Sequence, residues 1–282
     1  MNTSNLIFIG TGTSEGIPRV SCLTRSDNFC KVCKDSIIPG SFNRRRNTSV
    51  LITRKINTTE EINIMIDVGK FFYESAINLF PRYNIKKIDS IILTHTHADA
   101  VGGLDDLRDW TNNTQKEIKI YLRKKDLKSI SSSHSYLVKR NKQSGGGVAK
   151  LNFNIINKEP FTIKGITFTP LPVMHGPYLD VFGFRFGNVS YISDTSLIPK
   201  ETEKIINGTE ILILDALRPE KTHGTHFSLE QAVEFTKKIK PKITFFTNAT
   251  HDIDHLKINN LLKRETPKMQ YAFDGQKIKI KI

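Results

Sequence analysis

The sequence predicts an α/β fold in which two sheets pack together with helices outside. Short apolar runs of strand character recur along the chain, they cluster in the first half and again after the middle, and helical patterns interleave in both halves. In order, the strand-like runs fall at 6–10 (LIFIG), 49–52, 62–68, 90–94, 118–122, 166–173, 182–186, 189–193, 211–216 and 243–247. The helical patterns fall at 71–80, 101–111, 197–206 and 228–239. The last opens with Ser228 and Gln231 spaced as a capping box. A segment at 131–150, with Ser131, Ser132 and Ser133 at one end and Gly145, Gly146 and Gly147 at the other, reads as a loop within one domain spanning 1–282.

Composition narrows the class. Over 282 residues, 38% hydrophobic content is enough for a full core, which excludes a disordered tail and a disulfide-stapled miniprotein. No stretch approaches the roughly 18 apolar residues of a membrane span, and the run 6–9 is too short for a signal peptide. The expectation is a soluble cytoplasmic protein with no membrane partner. Cys22, Cys30 and Cys33 cannot all pair within one chain, so free thiols in a reducing compartment, available to metal, fit better than a disulfide framework. The net charge of +14 is spread over the chain and reads as a Lys-rich solvated surface, compatible with a phosphate-bearing substrate.

The chemistry concentrates after the run 90–94, in His95-Thr96-His97-Ala98-Asp99-Ala100 followed by Gly102-Gly103-Leu104-Asp105-Asp106-Leu107-Arg108. Two imidazoles at i and i+2 and a carboxylate at i+4, on a turn leaving a strand, can converge on one small volume as a metal site requires. A polar turn whose histidines cap a helix is the plainer alternative, and Asp99 with the Gly-Gly exit weighs against it.

This segment resembles the His-x-His-x-Asp signature of the metallo-β-lactamase superfamily. The further stations follow in order: Asp67 after its strand, His175, Asp194 in Tyr-Ile-Ser-Asp-Thr, and His251 in Ala-Thr-His. The resemblance runs from Asn5 to Phe273-Asp274-Gly275. It implies the four-layer αββα sandwich of that fold, with His95, His97 and His175 on one catalytic metal, Asp99 and His251 on a second, and Asp194 bridging. Asp67 would stand behind the ligands. Zn²⁺ or Mn²⁺ would suit such donors. The family often has histidine immediately after the motif aspartate, where this chain has Ala100, so the second metal lacks a ligand. Asp105 or Asp106 could complete it, or could pair with Arg108 instead.

Gly10-Thr11-Gly12-Thr13-Ser14-Glu15-Gly16-Ile17-Pro18, the three cysteines, Arg44-Arg45-Arg46-Asn47 and the segment 103–108 are similar to the PhnP-type cyclic phosphodiesterase branch and its eukaryotic relatives. The branch implies a structural Zn²⁺ on Cys22, Cys30, Cys33 and a histidine, for which His255 is the candidate. It also implies a catalytic histidine at His226, with His223 as a competitor, while Arg44 to Arg46 could touch phosphate. On this resemblance the chain is a metal-dependent phosphodiesterase acting on a small cyclic or nucleotide phosphodiester, with metal-activated hydroxide attacking phosphorus, Asp99 orienting it and His226 protonating the leaving oxygen. The alternatives are a tRNA 3′-end endonuclease-like nuclease, a thioester or lactone hydrolase, and a non-catalytic nucleotide-binding protein. A homodimer is the assembly the superfamily makes reasonable; nucleic acid is a less favoured partner.

Overall fold

The computed structural model describes residues 4–26, 30–57, 60–138 and 147–282. Strands β1 (Ser4–Gly10), β2 (Ser49–Lys55), β3 (Glu61–Ile66), β4 (Ser90–Ile92), β5 (Ile118–Leu122) and β6 (Leu151–Ile155) form one sheet. Its order is β14-β1-β2-β3-β4-β5-β6, where β14 is Lys277–Ile280. The second sheet holds β7 (Phe161–Ile163), β8 (Ile166–Met174), β9 (Asp180–Phe186), β10 (Val189–Ile192), β11 (Ile211–Asp215), β12 (Ile243–Thr247) and β13 (Met269–Tyr271), in the order β13-β12-β11-β10-β9-β8-β7.

Strand alternation builds the layers, because successive side chains point to opposite faces and both faces of each sheet are covered. Leu6, Phe8, Val50, Ile52, Ile64 and Ile66 meet Phe168, Phe184, Phe186, Ile213 and Phe245 in a core between the sheets. The intervening residues Ile7, Leu51, Met65 and Ile91 point outward, under Phe72 and Leu79 of the helix α3 (Phe72–Tyr83). On the far side, Leu212, Leu214 and Phe246 are covered by Ile206, Ala232, Phe235 and Leu262. These come from α8 (Lys200–Ile206), α9 (Leu229–Ile239) and α10 (His255–Glu265). The result is the helix–sheet–sheet–helix sandwich the sequence predicts.

The remaining helices are α1 (Val20–Thr24), α2 (Lys31–Ser36), α4 (Ala98–Val101), α5 (Arg108–Asn113), α6 (Lys124–Ser133) and α7 (Ser135–Val138). The helix expected over 101–111 is broken. It stops at Gly102 and restarts through a 3₁₀ turn, Asp105–Leu107, because Gly103 donates its N–H to Val68 O (2.9 Å) and leaves the helical path. The helix expected over 197–206 begins only at Lys200, since Leu197 pairs with Met174 and Pro199 is the N-cap. The capping box at Ser228 is present, Gln231 N–H reaching Ser228 Oγ and Ser228 N–H reaching Gln231 Oε1. The serine-rich end of the expected 131–150 loop is helical, in α6 and α7; Gly145 and Gly146, at its other end, lie outside the described residues. No helix among the described residues is long and apolar enough to cross a membrane.

The arginine trio is structural. Arg45 is fully buried, donating from Nη1 to Thr11 Oγ1 (2.8 Å) and Ala272 O (2.6 Å), with Nη2 facing His255 Nδ1 at 3.0 Å. Arg44 and Arg46 both pair with Glu74, and Arg46 Nη1 also donates to Ile17 O. Burial depresses the Arg45 guanidinium to about 10, and the Asp274 carboxylate nearby works in the other direction. These contacts tie the loop before β2 to the C-terminal segment and leave the trio engaged within the protein. Arg45→Met is therefore expected to destabilise the fold by about 3 kcal/mol or more, because it strands His255, Ala272 O and buried Asp274 without their cation. Urea unfolding of the variant beside Arg45→Lys measures this, and a loss below about 1 kcal/mol for Arg45→Met would contradict the assignment.

Candidate metal centre

Every chemistry-bearing side chain of the site leaves the same edge of the sandwich. β3, β4 and β5 run parallel to one another, as do β10, β11 and β12. β8, two antiparallel steps from β10, points the same way. Asp67 follows β3, His95 and His97 follow β4, His175 follows β8, Asp194 follows β10, Asp215 ends β11 and Asn248 follows β12. Ligand sites of parallel sheets form outside the carboxyl ends of their strands, and here both sheets contribute to one crevice.

His95, His97 and His175 bring ring nitrogens within 4.8 Å of one another, with ring centroids 4.7, 5.6 and 5.2 Å apart. Their orientation is fixed from behind. Asp67 is buried at φ 63° and accepts Thr94 N–H on Oδ1 (2.8 Å) and Thr94 Oγ1–H on Oδ2 (2.8 Å), so the Thr94 hydroxyl accepts from His95 Nδ1 (2.8 Å). His175 Nδ1 donates to Thr225 O at 2.8 Å. Both rings therefore turn a lone pair on Nε2 into the crevice, the arrangement of histidines that ligate metal. His95 Nε2 is buried with no hydrogen-bond partner, and a buried polar atom left unpaired is costly unless something occupies its direction. A divalent ion fits that place. Burial pushes His95 down to about 3, keeping it neutral, and burial together with His175 also lowers His97.

Two carboxylates border these rings. Asp99 Oδ1 is 3.8 Å from His95 Nε2, and Asp194 clusters with His175 and His226. Burial, helped by the charge of Asp194, raises Asp99 to about 6. Burial would raise Asp194 as well, but the imidazoles of His95, His226 and His175 hold it at about 2. The approach of the Asp99 loop to the loop after β3 requires glycine. A Cβ on Gly69 would lie 2.1 Å from Asp99 O.

His226 stands beside His175, their ring centroids 4.7 Å apart. Its Nδ1 donates to Asp215 Oδ2 (2.8 Å), which also accepts Thr195 N–H (2.9 Å). Burial alone would lower His226, yet Asp215, with Asp194 and Asp99 beyond, raises it to about 9. His223, the competitor, is exposed and bonds to Thr225 instead. Asp105 and Asp106 lie in the 3₁₀ turn and belong to none of the metal-competent clusters among the described residues.

Two assignments need correction. His251 does not reach the His95 crevice. Its Nδ1 lies 3.2 Å from Cys22 Sγ, 3.3 Å from Cys30 Sγ and 3.7 Å from Cys33 Sγ. A tetrahedral zinc with ordinary Zn–S and Zn–N bonds separates sulfur and nitrogen by about 3.5 Å, so the four atoms already have the spacing of a structural site. His255, expected to be that fourth ligand, begins α10, facing Arg45 from Nδ1 and Asn259 from Nε2 (3.2 Å), its ring between Phe42 and Phe273. Burial, with Arg45 adding to it, lowers His255 to about 3. The physical reason is a turn: Ala249 is laced to the β1 loop through Ala249 N–H to Thr11 O (3.0 Å) and Thr13 N–H to Ala249 O (3.3 Å). That lacing carries residue 251 toward the N-terminal cysteines. Asp215, Asn248, Thr94 and Thr225 are site residues that sequence reasoning missed. An aspartate closing the apolar run 211–216 was the one visible sign of Asp215.

If the cysteine cluster holds zinc through His251, His251→Ala lowers zinc affinity there by more than about 100-fold, since removing even the partner of a ligand costs about 10–100-fold. His255→Gln leaves that affinity unchanged. Chelator competition measured by zinc analysis separates the two, and the reverse pattern would restore His255 as the ligand.

The comparisons with known proteins agree with this architecture. The family description "Beta-lactamase superfamily domain" matches residues 62–247. The crystal structure of a diphosphatase from the PhnP family superposes with a TM-score of 0.81 at 31% identity, covering 99% of this chain and 98% of that one. Zn²⁺-bound PqqB from Methylobacterium extorquens gives a TM-score of 0.73 at 16% identity over 97% and 99% of the two chains, a likeness of fold alone. A protein of Porphyromonas gingivalis named octanoyltransferase is 31% identical over 256 residues, 89% of this chain. The chain spans about half the length of that relative, 48%.

Proposed function

The chain belongs to the metallo-β-lactamase superfamily, and from that premise we propose that it is a metal-dependent hydrolase, and more narrowly a phosphodiesterase acting on a small cyclic or nucleotide phosphodiester. The observation that carries this reading is the convergence of His95, His97 and His175 on one small volume, with His226, backed by Asp215, beside His175 in the same crevice. A divalent ion held by His95, His97 and His175, with Asp194, would supply a polarised phosphoryl oxygen and a water acidic near neutral pH. Zn²⁺ and Mn²⁺ both suit these donors.

The chain's own groups divide the proton work. Asp99, raised to about 6, accepts a proton from the attacking water. His226, protonated at neutral pH, gives the proton on Nε2 to the departing oxygen while Asp215 keeps hold of Nδ1–H. The products are a phosphomonoester and a free hydroxyl, carried on one molecule where the diester is cyclic. An ion held there would meet the substrate phosphate, and His226 lies at the same crevice; the arginine trio, committed to Glu74, Ala272 and His255, takes no part. Acyl transfer, the activity in the name of the half-covered relative, is disfavoured because all three thiols converge on His251, leaving none beside His95. Hydrolysis of a diphosphate is the second reading, favoured by the name of the relative that matches nearly end to end.

The test is turnover of bis(p-nitrophenyl) phosphate, 2′,3′-cyclic AMP and a nucleoside diphosphate by metal-stripped protein resupplied with Zn²⁺ or Mn²⁺. Metal-dependent hydrolysis of the diesters, abolished in His97→Ala, is the expected result; cleavage of the diphosphate alone would establish the second reading. His226→Ala should cost about 10²–10⁴-fold in kcat on cyclic AMP and much less on the nitrophenyl ester, whose leaving group needs no proton. Because the base must be ionised and the acid protonated, kcat/KM should rise with pH through about 6 and fall through about 9. Loss of the alkaline fall in His226→Ala identifies the acid.

A further inference from the structure

The second cation position, which the family resemblance implies beside Asp99 and Asp194, is not supported by the residues around it. Ala100, buried, follows Asp99 and offers no donor. His251 is spent on the cysteines. Asn248 follows β12 at φ 64°, 98% buried, and its amide Nδ2 donates to Ser193 O (3.2 Å) and to Asp194 Oδ1 (3.1 Å). That same nitrogen lies 3.1 Å from His226 Nδ1, so the amide fills the gap between Asp194 and His226. An amide N–H₂ has no lone pair to give a cation, and the bond it makes uses the acceptor direction on Asp194 that a bridging carboxylate would turn to a second ion.

We infer that the catalytic crevice holds a single divalent ion, on His95, His97 and His175 with Asp194, and that Asn248 closes the second position. One side of Asp194 then serves the ion and the other is tied to a neutral donor. Asp99 is left free to handle protons, since it has no second cation to ligate. The trio of His175, Asp194 and His226 draws on two of the same ion's ligands, and His226 Nδ1 is engaged by Asp215, so it adds no independent position; the cysteine–His251 cluster is a separate site, which makes two ions per chain in total.

The experiment counts ions independently of turnover, so it stands even if the substrate assignment fails. Full-length protein is stripped, resupplied with Zn²⁺, desalted and analysed for zinc and protein; a second sample is loaded with Mn²⁺ for electron paramagnetic resonance. The expected result is two zinc ions per chain, and a manganese spectrum of isolated ions with no exchange-coupled pair. In Asn248→His, which replaces the amide donor by an imidazole able to present a lone pair, the content should rise to three and a coupled manganese signal should appear. Three zinc ions per chain or a coupled pair in the unaltered protein would overturn the inference, as would an Asn248→His variant that folds but gains no ion. Should Asn248→His fail to fold, Asn248→Asp, which also exchanges a donor for an acceptor at nearly the same size, is read by the same count.

Discussion

Carboxylates buried at strand ends must be satisfied in place, and Asp67, Asp194 and Asp215 set the geometry of everything around them. Each ends or follows a strand with at least one parallel neighbour, so each is surrounded by backbone that has just left a ladder and by side chains from the next connection. Asp67 solves its burial by taking two donors from Thr94, and the solution fixes His95. Asp215 takes Thr195 N–H and His226. Burial raises both carboxyls; hydrogen bonds from Thr94 limit the rise at Asp67, and the charge and hydrogen bond of His226 limit it at Asp215, so the donors are part of the folding balance as much as of the site. Moving any one of them would unseat a histidine.

The His95 crevice and the cysteine cluster draw on one segment. Between β12 and α10 the chain supplies Asn248 to the His95 crevice and, three residues later, His251 to the cysteines. The division is enforced by the pairing of Ala249 with the β1 loop, which also brings Gly12 alongside Asn47 and Ala249. Glycine at residue 12 is required there, since a Cβ would come within 2.8 Å of Arg45 Cβ. Buried Arg45 lies behind this junction and holds the C-terminal segment against it through Ala272. A charge that sequence patterning offers as a phosphate contact is therefore consumed in assembling the loops that carry the ligands.

What the sequence made legible follows from local physics. The long apolar strands and the Ser228 capping box are set by residues a few positions apart, and they appear where pattern puts them. The short strands β6, β7, β13 and β14 (LNFNI, FTI, MQY, KIKI) were invisible because polar residues or brevity dilute the apolar signal and only pairing with a neighbour makes them strands. The His95–His97–Asp99 turn was readable because its spacing is itself the geometry. His251 and His255 were exchanged for the opposite reason: four residues apart at a helix start, either could face the cysteines, and the choice depends on the lacing of Ala249 to the distant residues Thr11 and Thr13. Asp215 and Asn248 act by closing hydrogen bonds with residues tens of positions away, which no spacing announces.

A metal ion on the cysteine cluster would supply what apolar burial in the N-terminal segment does not. Helix α1 is five residues long and buries no side chain, and the cluster beneath α1 and α2 consists of Ile17, Val32 and Cys33 with Cys22, Leu23 and Cys30 partly covered. So small a core cannot offset the conformational entropy of ordering α1 and α2. Ligation can, because binding energy at a site absent from the unfolded chain is folding energy. Desolvation holds the Cys33 thiol up at about 12 when no cation is near, so a cation there must also displace its proton. An ion anchoring His251 in this way would fix the turn that begins at Asn248, and with it the amide beside Asp194, because the far end of the same turn would be held through the cysteine sulfurs.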